Sequence, residues 1–344
     1  MLPAYIQELD FEDWAEQSQY VERITDANFT RLISLLSSEV DVDSYAVSPS
    51  YYAYTGRRGL WLYHYDGTFL PMCWHPNIDG QILIFPPRGE KNYAAVTALL
   101  NEAPLPPNGF LLARYKPKEI GDLKTFYAFV SRVSYEPIEE DVLDWRYPAR
   151  ILSTLNTAQM FGHEYMLIRN RVRQTKKYLV DIKRLSVQDV PEIERLALRW
   201  ANKQANKPEE LIDLVTPYKE TLRLFKRKEL GLDGLVFVVD GQVQAATIWD
   251  ISNPEHKIAN LYMNLCNVTY RGLSEFSIKA TAAKLCEDGV PLLNLGGSET
   301  ASLDHYKNKF APALSVPLCS LDACVTNMPM VAHALPIEKE LRVA

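Results

Sequence analysis

Leu292-Leu293-Asn294-Leu295-Gly296-Gly297-Ser298-Glu299-Thr300, continued by Leu303-Asp304-His305-Tyr306-Lys307-Asn308-Lys309-Phe310, reads as a strand, a turn and a short helix. The apolar run stops at Gly296-Gly297-Ser298. The helix after it carries a tyrosine, two lysines and a closing phenylalanine. A strand that ends in a turn and starts a helix presents backbone N–H groups to an anionic or carbonyl group. This stretch therefore predicts a site, and the neighbouring elements should form its walls.

Working outward, residues 269–287 predict a helix and residues 258–267 a strand. Residues 234–239 and 242–250 predict a hairpin around Asp240-Gly241. Upstream lie charged helices at 209–228 and 188–203, the latter with Pro191 in its first turn, and a strand at 178–185. Residues 153–178 predict one long helix or two, interrupted near Gly162. The first half repeats this plan. An amphipathic helix at 21–40 precedes a hairpin of 60–65 and 68–74 around Asp66-Gly67, then a strand at 81–85, a helix at 91–101 and strands at 110–115 and 125–133. A last strand falls at 313–318. The shared order implies an internal structural duplication and an α+β fold with mostly antiparallel sheets. The division drawn is 1–155, a basic connecting helix at 156–180, and 181–344 carrying the site.

A length of 344 residues favours two domains over one. A net charge of −6 argues against a protein coated in nucleic acid, so any cationic patch is local. Cys73, Cys266, Cys286, Cys319 and Cys324 include no CxxC pair and read as reduced thiols. The acidic opening MLPAYIQELDFEDW does not read as a signal peptide, and no apolar run approaches a membrane span. A cytoplasmic protein is expected. His64, His75, His163, His256 and His305 show no metal-ligand spacing, so neither a metal nor a tightly bound cofactor is expected. GRRG at 56–59 and PPRG at 86–89 place arginines beside glycines at strand ends, a composition suited to an anion.

Four segments carry a family resemblance: LVFVVDGQVQAATIWD, IANLYMNLCNVTYRGLSEFSIKATAAKL, LNLGGSETASLDHYKNKFAP and YMLIRNRVRQTKKY. They resemble the GNAT acyltransferases. More closely they resemble the branch with two tandem GNAT-like domains, the phosphatidylglycerol lysyltransferase C-terminal domains and the Fem aminoacyltransferases. The resemblance implies two tandem GNAT-like domains and an acyltransferase. It departs from ordinary GNAT enzymes at Tyr270-Arg271-Gly272-Leu273-Ser274-Glu275-Phe276, where small residues normally cradle the pyrophosphate of acyl-CoA. Arg271, Gly272 and Ser274 match that cradle as donor-binding residues, while Glu275 and Phe276 suit it poorly. The resemblance thus implies aminoacyl-tRNA as donor before acyl-CoA.

The site expected from these readings has Tyr306 as general acid toward the leaving group, with Lys307 or Lys309 stabilising an oxyanion or a phosphate. Residues i and i+2 do not share a helix face, so at most one lysine should point inward. Gly296, Gly297 and Ser298 would supply backbone donors, with Ser298 also a candidate N-cap. Glu299 would recognise a substrate ammonium. Asn264 would line the acyl site and share one strand face with Tyr262. Asp250 is the best carboxylate for binding or deprotonating an amine nucleophile. Arg169, Arg171, Arg173, Lys176 and Lys177 would track tRNA or another polyanion. Two other classes fit: an acyl-CoA-dependent N-acetyltransferase acting on a small molecule or a modified nucleic-acid base, and a catalytically inactive binding module.

Overall fold

The computed structural model describes residues 10–90, 93–126, 130–134, 146–205, 210–252 and 257–323; His256 and Cys324 lie outside the described residues. One sheet is built from β1 (Val21–Ile24), β2 (Leu60–Tyr65), β3 (Thr68–Trp74), β4 (Ile82–Ile84), β5 (Arg88–Gly89), β6 (Phe110–Tyr115) and β7 (Val130–Ser134). The second is built from β8 (Ala149–Ser153), β9 (Val180–Arg184), β10 (Asp233–Val239), β11 (Gln242–Ser252), β12 (Ile258–Cys266), β13 (Leu292–Asn294) and β14 (Leu314–Val316). The last described strand, β15 (Cys319–Ala323), returns to the first sheet between β6 and β7.

The duplication appears strand by strand. The first sheet runs β1-β2-β3-β4-β6-β15-β7 and the second β9-β10-β11-β12-β13-β8-β14. Each is antiparallel except at one equivalent step, β4 with β6 and β12 with β13. Each parallel step needs a crossover, supplied by helices Ala94–Glu102 and Leu273–Glu287. Both Asp-Gly hairpins adopt positive φ at the two central residues, 43° and 69° at Asp66-Gly67 and 52° and 74° at Asp240-Gly241. Only this mirror-image turn matches the twist of the flanking strands.

Each sheet borrows a strand from across the division drawn from the sequence. β8, within residues 1–155, lies between β13 and β14, and β15, within 181–344, lies between β6 and β7. Apolar side chains from both sheets fill the layer between them, with Leu83 and Phe85 on the side of the first sheet, Ile151 from the second and Leu224 from the helix Glu210–Phe225.

Two expected elements differ. The helix predicted over 21–40 starts only at Phe29, and Val21–Ile24 is an edge strand against β2. Asn28 breaks the pattern, its Oδ1 accepting the Thr25 N–H at 2.7 Å in a side-chain-closed turn. The strand predicted over 125–133 forms only from Val130, because Pro117–Phe126 is a helix. Pro117 suits the first helical position, Glu119 accepts the Lys116 N–H at 2.7 Å, and Ile120 and Leu123 are buried one turn apart.

Residues 41–48 are held against the first sheet by buried ion pairs. Arg114 donates through Nε and Nη2 to Asp43 at 3.0 and 2.6 Å, and Arg88 and Lys116 converge on Asp41 at 2.8 and 2.6 Å. The arginine of PPRG is thus an internal strut and does not face an outside anion. We predict that Asp43→Ala, which strands Arg114 without its carboxylate, lowers stability by about 3–5 kcal/mol in urea unfolding. The double variant Asp43→Ala/Arg114→Met should recover part of that loss; equal losses would show that the charge pair is not the cause.

Candidate active site

β12 and β13 pair only through Ile258, Ala259 and Asn260 with Leu292, Leu293 and Asn294. From Leu261 on, β12 has no partner on that side among the described residues. The opened edge is met by the first half, where the Tyr45 hydroxyl donates to the Leu261 carbonyl at 2.6 Å and reaches the Asn294 carbonyl at 3.5 Å.

A bulge then splits the chemistry between the two faces of the sheet. Ile248 pairs with Met263 and Trp249 with Leu261, leaving Tyr262 as an extra residue in β12. The extra residue shifts the alternation by one. Tyr262 and Asn264 therefore do not share a face, as strict alternation predicted. Tyr262 faces the first half, its ring edge-on to Tyr45 at 5.4 Å. Asn264 faces the helices Leu273–Glu287 and Ala301–Asn308, bonding Ser274 and Tyr306.

Asp250 is the centre of the first-half face. Its Oδ2 accepts from Ser48 Oγ at 2.5 Å and from the Tyr262 hydroxyl at 3.2 Å, and its Oδ1 accepts from Asn260 Nδ2 at 2.8 Å. Asn260 also donates to Ser252 Oγ at 2.8 Å and accepts from Ser44 Oγ, which in turn accepts from Asn294 Nδ2 at 2.9 Å. Burial raises the Asp250 carboxyl above its ordinary value, opposed by the hydrogen bonds of Ser48, Asn260 and Tyr262. Ser44, Tyr45 and Ser48 went unread in the sequence. The one signal there was Ser48-Pro49, a helix start, and Ser48 does cap the helix Pro49–Thr55. Its second bond, to Asp250 some 200 residues away, has no local signature.

On the opposite face, the Tyr306 hydroxyl lies 2.6 Å from Ser274 Oγ and 3.4 Å from Asn264 Nδ2, and Ser277 Oγ donates to Asn264 Oδ1 at 2.6 Å. Burial raises the Tyr306 hydroxyl far above its ordinary value, against the hydrogen bonds of Ser274 and Asn264. It therefore stays protonated as a donor. Burial likewise pushes the Cys266 thiol up to about 12, which keeps it from acting as a thiolate nucleophile.

Asn264, Cys266 and Ser274 line a pocket of about 290 Å³ that is rimmed by Arg171, Arg271 and Glu275 at the start of the helix Leu273–Glu287. Gly272 begins this helix at a φ of 84°, and a Cβ there would lie 2.0 Å from the Arg171 carbonyl oxygen. Its lack of a side chain lets the helix Met166–Arg173 close in, rather than leaving room for a diphosphate. Phe276 turns its ring onto Phe237, 6.1 Å away in the core. Its bulk is directed at the sheet, so Glu275 is the residue that opposes an anion here.

The glycine turn is arranged differently from the sequence expectation. The Gly296 N–H is taken by Asn294 Oδ1 at 2.9 Å, and the turn presents carbonyls instead, with Lys307 Nζ donating to the carbonyls of Gly297 and Gly296. Thr300 and not Ser298 caps the following helix, accepting the Leu303 N–H at 3.3 Å. Ser298 is fully buried, and its carbonyl accepts the Tyr147 N–H at 3.0 Å. Lys307 is half-buried, whereas Lys309 and Glu299 are exposed. Arg150 of β8 grips Asp304 with two bonds of 2.9 Å and fixes this short helix to the borrowed strand.

In the basic run, Arg169 binds the carbonyls of Met160 and Gly162 at 2.6 and 2.7 Å, closing the break in the helix. It serves the fold rather than an outside polyanion. Arg171, Arg173, Lys176 and Lys177 are exposed.

A family model described as phosphatidylglycerol lysyltransferase, C-terminal, matches residues 41–317. No curated protein matches the sequence. A conserved protein of unknown function from Bacteroides thetaiotaomicron is similar in structure at a TM-score of 0.66 and 17% identity, covering 89% of this chain and 99% of that one. L-PGS from Bacillus licheniformis is similar at 0.55 and 9% identity (88% and 93% covered), and FemX at 0.55 and 10% (89% and 97% covered). These likenesses show the fold, an α+β arrangement of two tandem GNAT-like domains.

Two predictions follow from the geometry. Gly272→Ala forces both a positive φ and a collision with the Arg171 carbonyl, and should lower the unfolding free energy by at least about 1–3 kcal/mol. A neutral result would mean that the two helices separate at no cost. Asp250 has a folded pKa above its unfolded one, so its contribution is full below the ordinary value of 3.8 and is lost as pH rises through the folded value. Wild-type stability should thus fall relative to Asp250→Asn as pH rises above about 4. A difference that runs the other way across that range would show the carboxylate to be stabilised as an anion.

Proposed function

The chain belongs to the family of phosphatidylglycerol lysyltransferase C-terminal domains, and from that membership we propose that it is an acyltransferase that moves an aminoacyl group from aminoacyl-tRNA to an amine or hydroxyl acceptor. The observation that carries this reading is the cluster of Tyr306, Ser274 and Asn264, in which Ser274 and Asn264 line a pocket rimmed by Arg171 and Arg271 and Tyr306 bonds both from behind. In the proposed reaction the acceptor's nitrogen or oxygen attacks the ester carbonyl carbon. The tetrahedral intermediate then expels the ribose oxygen as the carbon–oxygen bond breaks. Tyr306, held protonated, gives the leaving oxygen its proton, and the Asn264 amide and Ser274 hydroxyl hold Tyr306 in place. Lys307 is a positioning residue that fixes the glycine turn through its carbonyls. Asp250, which meets the first half through Ser48, serves the acceptor side by taking up the proton that the attacking nitrogen or oxygen releases, and proton exchange with water then restores Asp250 and Tyr306.

The arginines at the helix start suit the terminal phosphates of a tRNA, and Arg171, Arg173, Lys176 and Lys177 extend that cationic surface. The backbone closure at Gly272 supports an aminoacyl ester over acyl-CoA.

The test is transfer from charged tRNA set beside transfer from acetyl-CoA. We predict activity with charged tRNA alone, reduced about 10²- to 10⁴-fold in Tyr306→Phe with unchanged thermal stability. Tight coenzyme A binding with acetyl transfer would replace the donor assignment. Full activity of Tyr306→Phe would remove its proposed role. tRNA binding should weaken steeply between 50 and 200 mM salt, and less steeply in Arg173→Ala/Lys176→Ala.

A further inference from the structure

A second cleft lies away from the site above, between the first half and the helix Glu210–Phe225. It has a volume of about 480 Å³, and five arginines line it: Arg23, Arg57, Arg58, Arg223 and Arg227. Asp26 and Glu220 are its acidic lining residues. The size falls within the range of ligand sites, roughly 300–1,000 Å³.

The arginines are held by aromatic rings and by carboxylates: Arg223 pairs with Glu220 at 2.8 Å, and Arg227 with Asp26 and Glu229 at 2.8 and 2.7 Å. Arg227 lies over the Phe29 ring at 4.5 Å and Arg57 over Tyr54 at 5.7 Å. Arg57 makes no ion pair with a carboxylate among the described residues. Arg58 pairs with Asp79 and Arg23 with Glu16, whose side chains are 88% and 61% exposed. Such exposed pairs contribute little and are readily exchanged for a better acceptor. Arg227 Nη2 is buried without a hydrogen-bond partner. The floor is apolar, formed by Ile24, Phe29 and Leu60. Gly56 cannot carry a side chain, since a Cβ would lie 2.8 Å from the Tyr52 carbonyl, so the helix-to-β2 turn stays tight and holds Arg57 and Arg58 at the rim.

We propose that this cleft is a binding site for a small phosphorylated ligand of nucleotide size. The phosphates would be held by Arg57, Arg58 and Arg223 through charge-assisted, forked hydrogen bonds, and the ring or apolar portion would rest on the floor. The proposal does not depend on the acyl-transfer reading.

Calorimetric titration of the full chain with ADP and with pyrophosphate tests it. Wild type should bind ADP in a salt-sensitive manner, and Arg57→Ala/Arg58→Ala should bind at least tenfold more weakly. Binding of pyrophosphate as tight as ADP would assign the affinity to the phosphates alone and keep the site; weaker pyrophosphate binding would bring in the floor. Should the double variant fail to fold, Arg58→Ala alone, which removes an exposed side chain, should show a smaller loss in the same direction. No binding of either probe by wild type overturns the proposal. Undiminished binding by the folded variants also overturns it, by placing the anion elsewhere.

Discussion

Two buried guanidinium–carboxylate contacts decide where residues 41–48 go, and the rest of the molecule is arranged around that segment. Burial alone would raise the Asp41 carboxyl, but Arg88 and Lys116 outweigh it and hold the group at about 2. Asp43 is matched bidentately by Arg114, which sits over Tyr51 at 4.6 Å and takes a backbone φ of 63° to do so. A non-glycine residue in that region costs about 1–3 kcal/mol, and persists only where its surroundings over-determine it. Anchored in this way, the segment points Ser44, Tyr45 and Ser48 at the second sheet. There they meet Asn260, the Leu261 carbonyl and Asp250.

The strand exchange makes this contact permanent. With β8 inside the second sheet and β15 inside the first, neither sheet completes its ladder from its own half. The first half is therefore more than a spare copy beside the second. It caps the opened edge of β12 and supplies hydroxyls to the buried carboxylate. Breaking the interface would leave Asp250 and Asn260 with unmet hydrogen bonds in addition to exposing apolar surface, and both costs oppose separation.

What was legible in the sequence was what local rules determine. Asp66-Gly67 and Asp240-Gly241 marked both hairpins because a two-residue turn of this hand needs two positive φ values. The crossover helix Leu273–Glu287 and the strand–turn–helix around Gly296 followed from periodicity and turn residues. What was not legible depends on long-range pairing. The extra residue at Tyr262 exists only relative to the register of β11, and nothing in Leu261-Tyr262-Met263 marks it. Ser48 and Asp250 are joined by tertiary structure alone. Lys307 could be assigned to a site from its position after the glycine turn. That its ammonium would close back on that turn's own carbonyls required the backbone geometry.

The bulge at Tyr262 gives the site its division of labour. With strict alternation, Asn260, Tyr262 and Asn264 would form one polar row on one face of β12. The extra residue sends Asn260 and Tyr262 to Asp250 and Asn264 to Tyr306. Both titratable groups are raised by burial, yet with opposite consequences. A raised tyrosine remains a proton donor, while a raised carboxyl moves toward the range in which it takes a proton up. Acyl transfer needs one group of each kind, one for the leaving oxygen and one for the incoming nucleophile. Placing them on opposite faces of a single strand, at the point where it parts from β13, keeps the two from neutralising each other. In the proposed transfer, Tyr306 would serve the leaving oxygen from the face of Asn264 and Ser274, and Asp250 the incoming nucleophile from the face of the first half.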